Sequence, residues 1–382
     1  MSVATEVALK LRAAERGLLV MGPDCGTAVV GGVGLGFANV VLPGPVSLVA
    51  ASGTGAQHLL ALLDAAGVGV RHCLGVGGRD LGADVGGLAA EQALHMLAAD
   101  DATQLVVLVS KPADPAVVRR LQDVAASLDL HLEQAVVGMG APDLTEAAER
   151  VCRRIGVPIP EWPTWHGAPP SRSLVGFRGL ADGGDTENPP EIGGSDGSPG
   201  LVRGLFSGGT LCDEAMVIAS AELGTVASNV PLRRDWPSLE TTGPSSLRSA
   251  LLAAGHAFVD LGDDTLTRGR AHPMIDPTLR LEAVEDAAHD RRVRVLLLDV
   301  VLGHGSHPDP AGAYVPVIRR ALQTAADDGR PLDVVVSLTG TAGDPQGRDS
   351  VAGRLAEVGA HVYLSNAQAT RAAVALATGV TR

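Results

Sequence analysis

A chain of 382 residues, 46% of them hydrophobic and with a positive mean hydropathy, holds enough apolar material for two or three domain cores. Thirty basic against 43 acidic residues leave a formal charge of −13, which argues against a broad nucleic-acid or anionic-membrane surface, and 2% aromatic content argues against base stacking. Cys25, Cys73, Cys152 and Cys212 lie far apart with no CxxC spacing, so neither a zinc site nor a disulfide framework is expected, and a cytoplasmic setting is.

The first residues, "MSVATEVALKLRAAERG", place apolar and charged side chains at helical spacing and do not read as a signal peptide; no apolar run is long enough to span a bilayer. Short apolar runs then alternate with amphipathic segments, the pattern of parallel strands joined by crossover helices. Strands are expected near 46–51, 71–76, 104–110 and 131–137, with helices near 55–66, 86–99, 114–127 and 143–155. Residues 158–200 are rich in proline, glycine and acidic residues and are expected to form a flexible linker. The same grammar resumes in "LVRGLFSGGTLCDEAM", "HAFVDLGDD", "VRVLLLDVVLGHG", "LDVVVSLTGT" and "HVYLSN". The fold class is α/β, with two copies of one parallel-sheet plan.

The copies align by feature. "AASGTGAQHLL" answers "LFSGGTLCDEAM", "GVGGRDL" answers "VDLGDDTL", and "LVVLVSKP" answers "VLLLDVVLGHG". Ends of adjacent parallel strands fall on one sheet edge, where open α/β folds bind ligands, so two such edges would face two half-sites. Ser52, Gly53, Thr54 and Gly55 in the first copy, and Ser207, Gly208, Gly209 and Thr210 in the second, open helices with glycine-rich turns whose free amides suit a phosphate. The same residues also serve as ordinary caps and turn formers, and pattern alone leaves both readings open.

Arg79 and Asp80 lie in a glycine-rich loop, and "VDLGDDTLTRGRAHPMIDPTLR" gathers Asp260, Asp263, Asp264, Arg268, Arg270, His272, Asp276 and Arg280. Arginine suits bidentate recognition of oxyanions, and carboxylates can hold Mg²⁺ or orient an amide nitrogen; a solvated loop of local ion pairs is the alternative. His304 and His307 follow a strand at the expected ligand edge as candidates for acid–base chemistry or phosphate carriage. Lys111 follows a strand on the same edge. His58, His72 and His95 fall within apolar patterns and read as structural. No motif supports a transition-metal site.

Together, "VMGPDCGTAVVGGVGLGFANV", "ASGTGAQ", "GVGGRDL", "SGGTLCDEA", "DLGDDTLTRGRAHPMIDPTLR" and "VRVLLLDVV" resemble the FdrA proteins of the NDP-forming acyl-CoA synthetase (succinyl-CoA synthetase) superfamily. The resemblance runs from about residue 16 to the C-terminus. It implies two flavodoxin-like domains, 44–157 akin to the synthetase α subunit and 201–382 akin to β, joined by the linker 158–200 and preceded by a remnant of a CoA-type domain at 1–43. It also implies that paired helix N-termini, at Ser52, Gly53 and Thr54 and at Ser207, Gly208 and Gly209, cradle a phosphate. The chain departs from the synthetases where their phosphorylated histidine would lie, reading "AVVGMGAPDLTEAAERV", and has "SKP" where a glutamate is expected.

The expectation is therefore a cytoplasmic acyl-phosphate or carbamoyl-phosphate transferase component of the oxamate carbamoyltransferase type, acting in purine and allantoin catabolism. Phosphate would sit at Ser52, Gly53, Thr54, Gly55, Ser207, Gly208, Gly209 and Thr210. Arg268, Arg270, His272 and Asp263 would be catalytic, with Arg79, Asp80 and Arg280 binding substrate. No tightly bound cofactor is expected, Mg²⁺ being the one candidate ion, and CoA is not expected on this chain alone. Partner subunits or a homo-oligomer are expected, with no nucleic acid and no membrane. The rival readings are an acyl-CoA ligase subunit, with His304 or His307 replacing the missing histidine, and a non-catalytic scaffold.

Overall fold

The structure, a computed structural model, describes residues 1–24, 26–167 and 199–379. The first half runs α1 (Val3–Ala14), β1 (Thr27–Val30), β2 (Val33–Gly36), β3 (Val46–Ala50), α2 (Gly53–Ala65), β4 (Val70–Gly75), α3 (Leu88–Ala98), β5 (Leu105–Ser110), α4 (Pro115–Ser127), β6 (Leu132–Val136) and α5 (Leu144–Ile155). Its strand order is β2-β1-β4-β3-β5-β6. The four strands β3 to β6 are parallel, and their order is the 2-1-3-4 of a flavodoxin-like sheet.

The second half runs β7 (Thr164–His166), β8 (Leu201–Phe206), α6 (Gly209–Leu223), β9 (Ala227–Ser228), α7 (Pro244–Ala253), β10 (Ala257–Asp260), α8 (Asp264–Thr267), α9 (Thr278–Ala288), β11 (Val293–Val301), α10 (Pro310–Asp327), β12 (Asp333–Thr339), α11 (Arg348–Glu357), β13 (Ala360–Tyr363) and α12 (Asn366–Thr378). Strand order is β7-β13-β12-β11-β8-β10-β9. Strands β8, β10, β11, β12 and β13 are parallel neighbours in flavodoxin-like order 2-1-3-4-5.

Strand alternation sets the layers. Leu48, Ala50, Val107 and Val109 of the first sheet face one apolar cluster, while Val49, Ala51, Val106 and Leu108 face another that contains Leu94 and Leu121 of α3 and α4. In the second sheet Val295 and Leu297 face the shared cluster, and Leu296 and Leu298 face one containing Val284 and Ile318 of α9 and α10. The shared cluster holds Leu59 and Leu63 of α2, Val151 of α5, Leu211 and Met216 of α6 and Val374 of α12. One continuous core therefore joins the two sheets through four helices.

Two expectations are revised. Residues 27–36 form a hairpin that extends the first sheet, since Val29 pairs antiparallel with Cys73. Its two-residue turn, Gly31-Gly32, has φ of 59° and 82°, the left-handed pair that a tight hairpin turn requires. The N-terminal segment is thus built into the first domain. The linker also begins later than 158, because Thr164–His166 pairs antiparallel with Tyr363–His361 as an edge strand and Trp162 is buried. The remainder of the expected linker, 168–198, lies outside the described residues. Cys152 and Cys212 are free, buried thiols, Cys73 is buried, and Cys25 lies outside the described residues. Among the described residues no helix is long and apolar enough to cross a membrane.

Candidate functional site

In a sheet of flavodoxin-like order the crevice opens between the first and third strands, where successive connections leave to opposite faces. In the first sheet that crevice lies between β3 and β5, above Ser52 and Lys111; in the second it lies between β8 and β11, above Ser207 and Leu302. The two crevices meet. Ser52 caps α2 by accepting from the Gly55 amide at 2.9 Å, and its hydroxyl also bonds the Thr210 hydroxyl at 2.6 Å.

Glycine is what allows this approach. A Cβ on Gly208 would lie 2.8 Å from the Thr54 Cβ and Oγ1, and one on Gly55 would lie 2.9 Å from the Thr210 Cγ2. Ser52, Ser207 and Thr210 are buried at the contact, whereas Gly53, Thr54 and Gly209 remain partly open to solvent. The Gly53, Thr54, Gly209 and Thr210 amides are first-turn donors without intrahelical partners and stand at the positive ends of two helix dipoles.

Charged groups gather on the α6 side. A Cβ on Gly209 would lie 2.6 Å from Asp260 Oδ2 and 3.4 Å from Lys111 Nζ, so a lysine of the first domain and a carboxylate of the second converge on one glycine. Asp260 Oδ1 accepts from the Gly262 amide at 2.9 Å, and the Asp260 backbone is clamped by Asn229. Burial pushes Asp260 up to about 7, opposed by the Lys111 charge and reinforced by Asp213. Burial likewise pushes Asp213 up to about 7, again opposed by Lys111.

His272 borders the same corner: a Cβ on Gly262 would lie 2.7 Å from both His272 Nε2 and the Ser207 carbonyl. Its Nδ1 accepts from the Met274 amide at 3.3 Å, which leaves the ring proton on Nε2. Burial lowers its pKa, so the imidazole is neutral at neutral pH. Phe37 lies 6.3 Å from it, ring centre to ring centre.

The second turn differs from the first in one respect that no local pattern reveals. Asp299, on β11, accepts from the Ser207 amide at 2.8 Å, the Gly208 amide at 2.9 Å and the Ser207 hydroxyl at 2.9 Å. Arg280 pairs with the same carboxylate and donates from Nε to the Tyr314 hydroxyl at 2.6 Å. Arg280 and Asp299 are both fully buried. Two of the expected phosphate donors thus already hold an internal carboxylate, and Arg280 serves as its counter-ion.

Other expected residues lie elsewhere. Asp80 is fully buried, accepting from Lys10 Nζ at 2.7 Å and from the Ala89 and Ala90 amides at the start of α3. Arg79 pairs with Glu6, so these two residues anchor α1 to the first domain. Asp263 caps α8 through the Thr265 amide, and Arg268 and Arg270 are exposed beyond it. Among the described residues neither arginine is tied to the two turns by a hydrogen bond or ion pair.

The exposed His304 pairs its backbone with Ala38, and His307 Nδ1 accepts from the Asp309 amide. His58 is fully buried, its Nε2 accepting from the Asn366 amide and its Nδ1 bonded to Thr339; burial pushes it down to about 4. No group of three or more His, Cys, Asp or Glu side chains suited to a metal ion occurs among the described residues. Two surface cavities, of about 340 and 560 Å³, lie elsewhere, one beside Pro43 and Val70 and one beside Trp165 and His166.

An uncharacterized protein of Escherichia coli (strain K12), YahF, is 37% identical over 346 residues, which is 89% of this chain, and the chain spans 63% of that relative's length. Among solved structures, a protein of Pyrococcus horikoshii OT3 is 15% identical with a TM-score of 0.29, covering 98% of this chain and 74% of its own. The dinucleotide forming acetyl-coenzyme A synthetase 1 of Ca. Korarchaeum cryptofilum, solved in complex with phosphate and ADP, is 14% identical with a TM-score of 0.29, covering 98% of this chain and 73% of its own. Residues 205–376, from the end of β8 into α12 and including the Ser207 turn, match the CoA-ligase family model.

Proposed function

We propose that this chain is an acyl-phosphate-binding transferase component of the acyl-CoA synthetase superfamily, with the phosphate held where the α2 and α6 tips meet. The observation that carries the reading is the tip-to-tip contact itself: two glycine-rich helix starts, Ser52–Gly55 and Gly208–Thr210, brought together with partly open amides on both sides. A helix end supplies donors and a fixed positive potential with no long side chain to order, and two ends facing one ligand double both.

In this reading the Gly53, Thr54, Gly209 and Thr210 amides and the Lys111 ammonium hold the phosphoryl oxygens. Neutral His272 offers its Nε2 proton toward the acyl carbonyl oxygen, where charge develops when a nucleophile adds. Asp299 and Arg280 keep the Ser207 turn in shape. The finer assignment is carbamoyl transfer of the oxamate carbamoyltransferase type, with partner subunits supplying the acceptor; the resemblance to FdrA proteins supports it.

The test is thermal unfolding of the full chain with phosphate, carbamoyl phosphate, CoA or ATP, each alone. A ligand at about a hundred times its dissociation constant adds roughly 2.7 kcal/mol, a rise of about 2–4 °C. Stabilisation by phosphate and carbamoyl phosphate supports the reading, and silence from both refutes it.

A second reading, an acyl-CoA ligase subunit, is favoured by the CoA-ligase match over residues 205–376 and by the exposed His304 beyond the end of β11. It requires stabilisation by CoA or ATP, and acid-labile label on His304 or His307 after incubation with ATP labelled on its terminal phosphate.

A further inference from the structure

Asp213 lies in the second turn of α6, is 5% exposed and has neither a hydrogen bond nor an ion pair among the described residues. A carboxylate in that position is costly to bury, because it has given up most of its water without gaining donors. Nearby Asp260 is 6% exposed and uses only Oδ1, for the Gly262 amide, so its Oδ2 has unused lone pairs. The two acids act on each other electrostatically, and both feel Lys111. Lys111 in turn forms no ion pair with either among the described residues, although its Nζ and Asp260 Oδ2 both reach Gly209. Donor-poor acceptors and a cation with unspent hydrogen bonds therefore stand together at the α6 tip.

We propose that Asp213 and Asp260 form a specificity filter that accepts hydrogen bonds from an N–H group carried next to the anionic head of the ligand, while Lys111 and the helix tips bind the head itself. The filter rests on the reading of the turns as an acyl-phosphate site. Its chemistry follows from what is unpaired: buried acceptors favour a ligand that brings donors and reject one that brings a methyl group, because a bound methyl group would displace the remaining water and leave the carboxylates unbonded. The groups acting on the pair are Lys111 from the first domain and Asp263 after β10, while Cys212 on α6 feels both acids and Asp299 on β11 as well. A metal ion is a poor occupant, since the Lys111 charge repels it.

Carbamoyl phosphate and acetyl phosphate make the decisive pair, being close in size and differing by NH₂ against CH₃. Titration calorimetry on the full chain at pH 8, where the ionised acceptor forms predominate, is expected to show carbamoyl phosphate binding at least about tenfold more tightly. Asp213→Val, which keeps the volume and removes the acceptors, should bring the two ligands within about threefold while leaving acetyl phosphate affinity in place. Retained acetyl phosphate binding also shows that the variant is folded; Asp213→Ala repeats the comparison with a smaller side chain. Equal affinities in the unaltered protein, or a preference that survives both substitutions, overturn the filter and leave the phosphate site standing. Binding of neither ligand removes the site and the filter together.

Discussion

The Ser52 and Thr210 hydroxyls, 158 positions apart, meet at 2.6 Å and join the first turns of two helices from two different sheets. Ser52 holds both ends of the arrangement, because the same oxygen caps the Gly55 amide of its own helix. Ser52→Ala removes a cap and a cross-domain bond at once. The expected loss is about 1–2 kcal/mol of stability, with the phosphate-induced rise in melting temperature reduced. Denaturant unfolding with and without phosphate checks both, and Thr210→Val should lower stability without disturbing the α2 cap.

Gly208→Ala sets a Cβ 2.8 Å from Thr54, nearer than atoms settle in a relaxed core. Since Thr54 opens a helix, its backbone has little room to yield. The substitution should cost about 1–3 kcal/mol and weaken anion binding, because it moves one tip away from the other. Gly243→Ala, where a Cβ meets open space, is the control expected to change neither.

Arg280 and Asp299 invite a paired substitution. Arg280→Met alone leaves the buried Asp299 carboxylate with its amide donors and no cation, and is expected to destabilise by about 3–5 kcal/mol. Asp299→Leu alone strands Arg280 and opens the Ser207 and Gly208 amides. The double variant should recover part of the loss, and strictly additive unfolding free energies would show that the pair is not coupled.

The pH profile has a definite sign. Asp213, Asp260 and Glu214 each have a folded pKa near 7, mainly from burial, against ordinary values near 4. A raised acid contributes stability that is present below its unfolded pKa and lost as pH rises through the folded one. The buried histidines, lowered by burial, work in the opposite sense but only below about 6.5. The loss therefore runs from about pH 4 to just above 7, is masked in part by the histidines below about 6.5, and should appear as a fall from about pH 6.5 that levels off by about pH 8; Glu214→Gln should flatten the fall. Urea midpoints across that range decide the matter.

Much of the fold is legible in the apolar runs. "SLVA", "LVVLVS" and "VRVLLLDVV" are too short for buried helices and too continuous for one-sided strands, and each is a parallel strand. That two Ser-Gly turns close matched strands is legible too, because glycines at two strand ends carry local information; that the turns meet is implied only by the resemblance to the synthetases. What pairs with what is not. Arg79 and Asp80 look like ligand-binding residues in a glycine-rich loop, yet their partners, Glu6 and Lys10, lie more than 60 positions away on α1. Arg280 reads as an oxyanion binder until β11 brings Asp299 to it. Asp213 is silent for the opposite reason, since it sits within a helical pattern where an acid usually faces water. The β1–β2 hairpin and β7 are short and partly exposed, so they give little apolar signal.

The four helices between the sheets carry a consequence for how the site accepts a ligand. Leu59, Leu63, Leu211, Met216, Ala369 and Val374 sit in one unbroken cluster beneath the two tips. Spreading the tips would bring that layer into contact with water, at about 25 cal/mol for each Å² exposed. If the tips hold an anionic head group as proposed, the site is a fixed gauge and not a jaw, and a head group one atom too large is expected to be turned away by size before its charge is read.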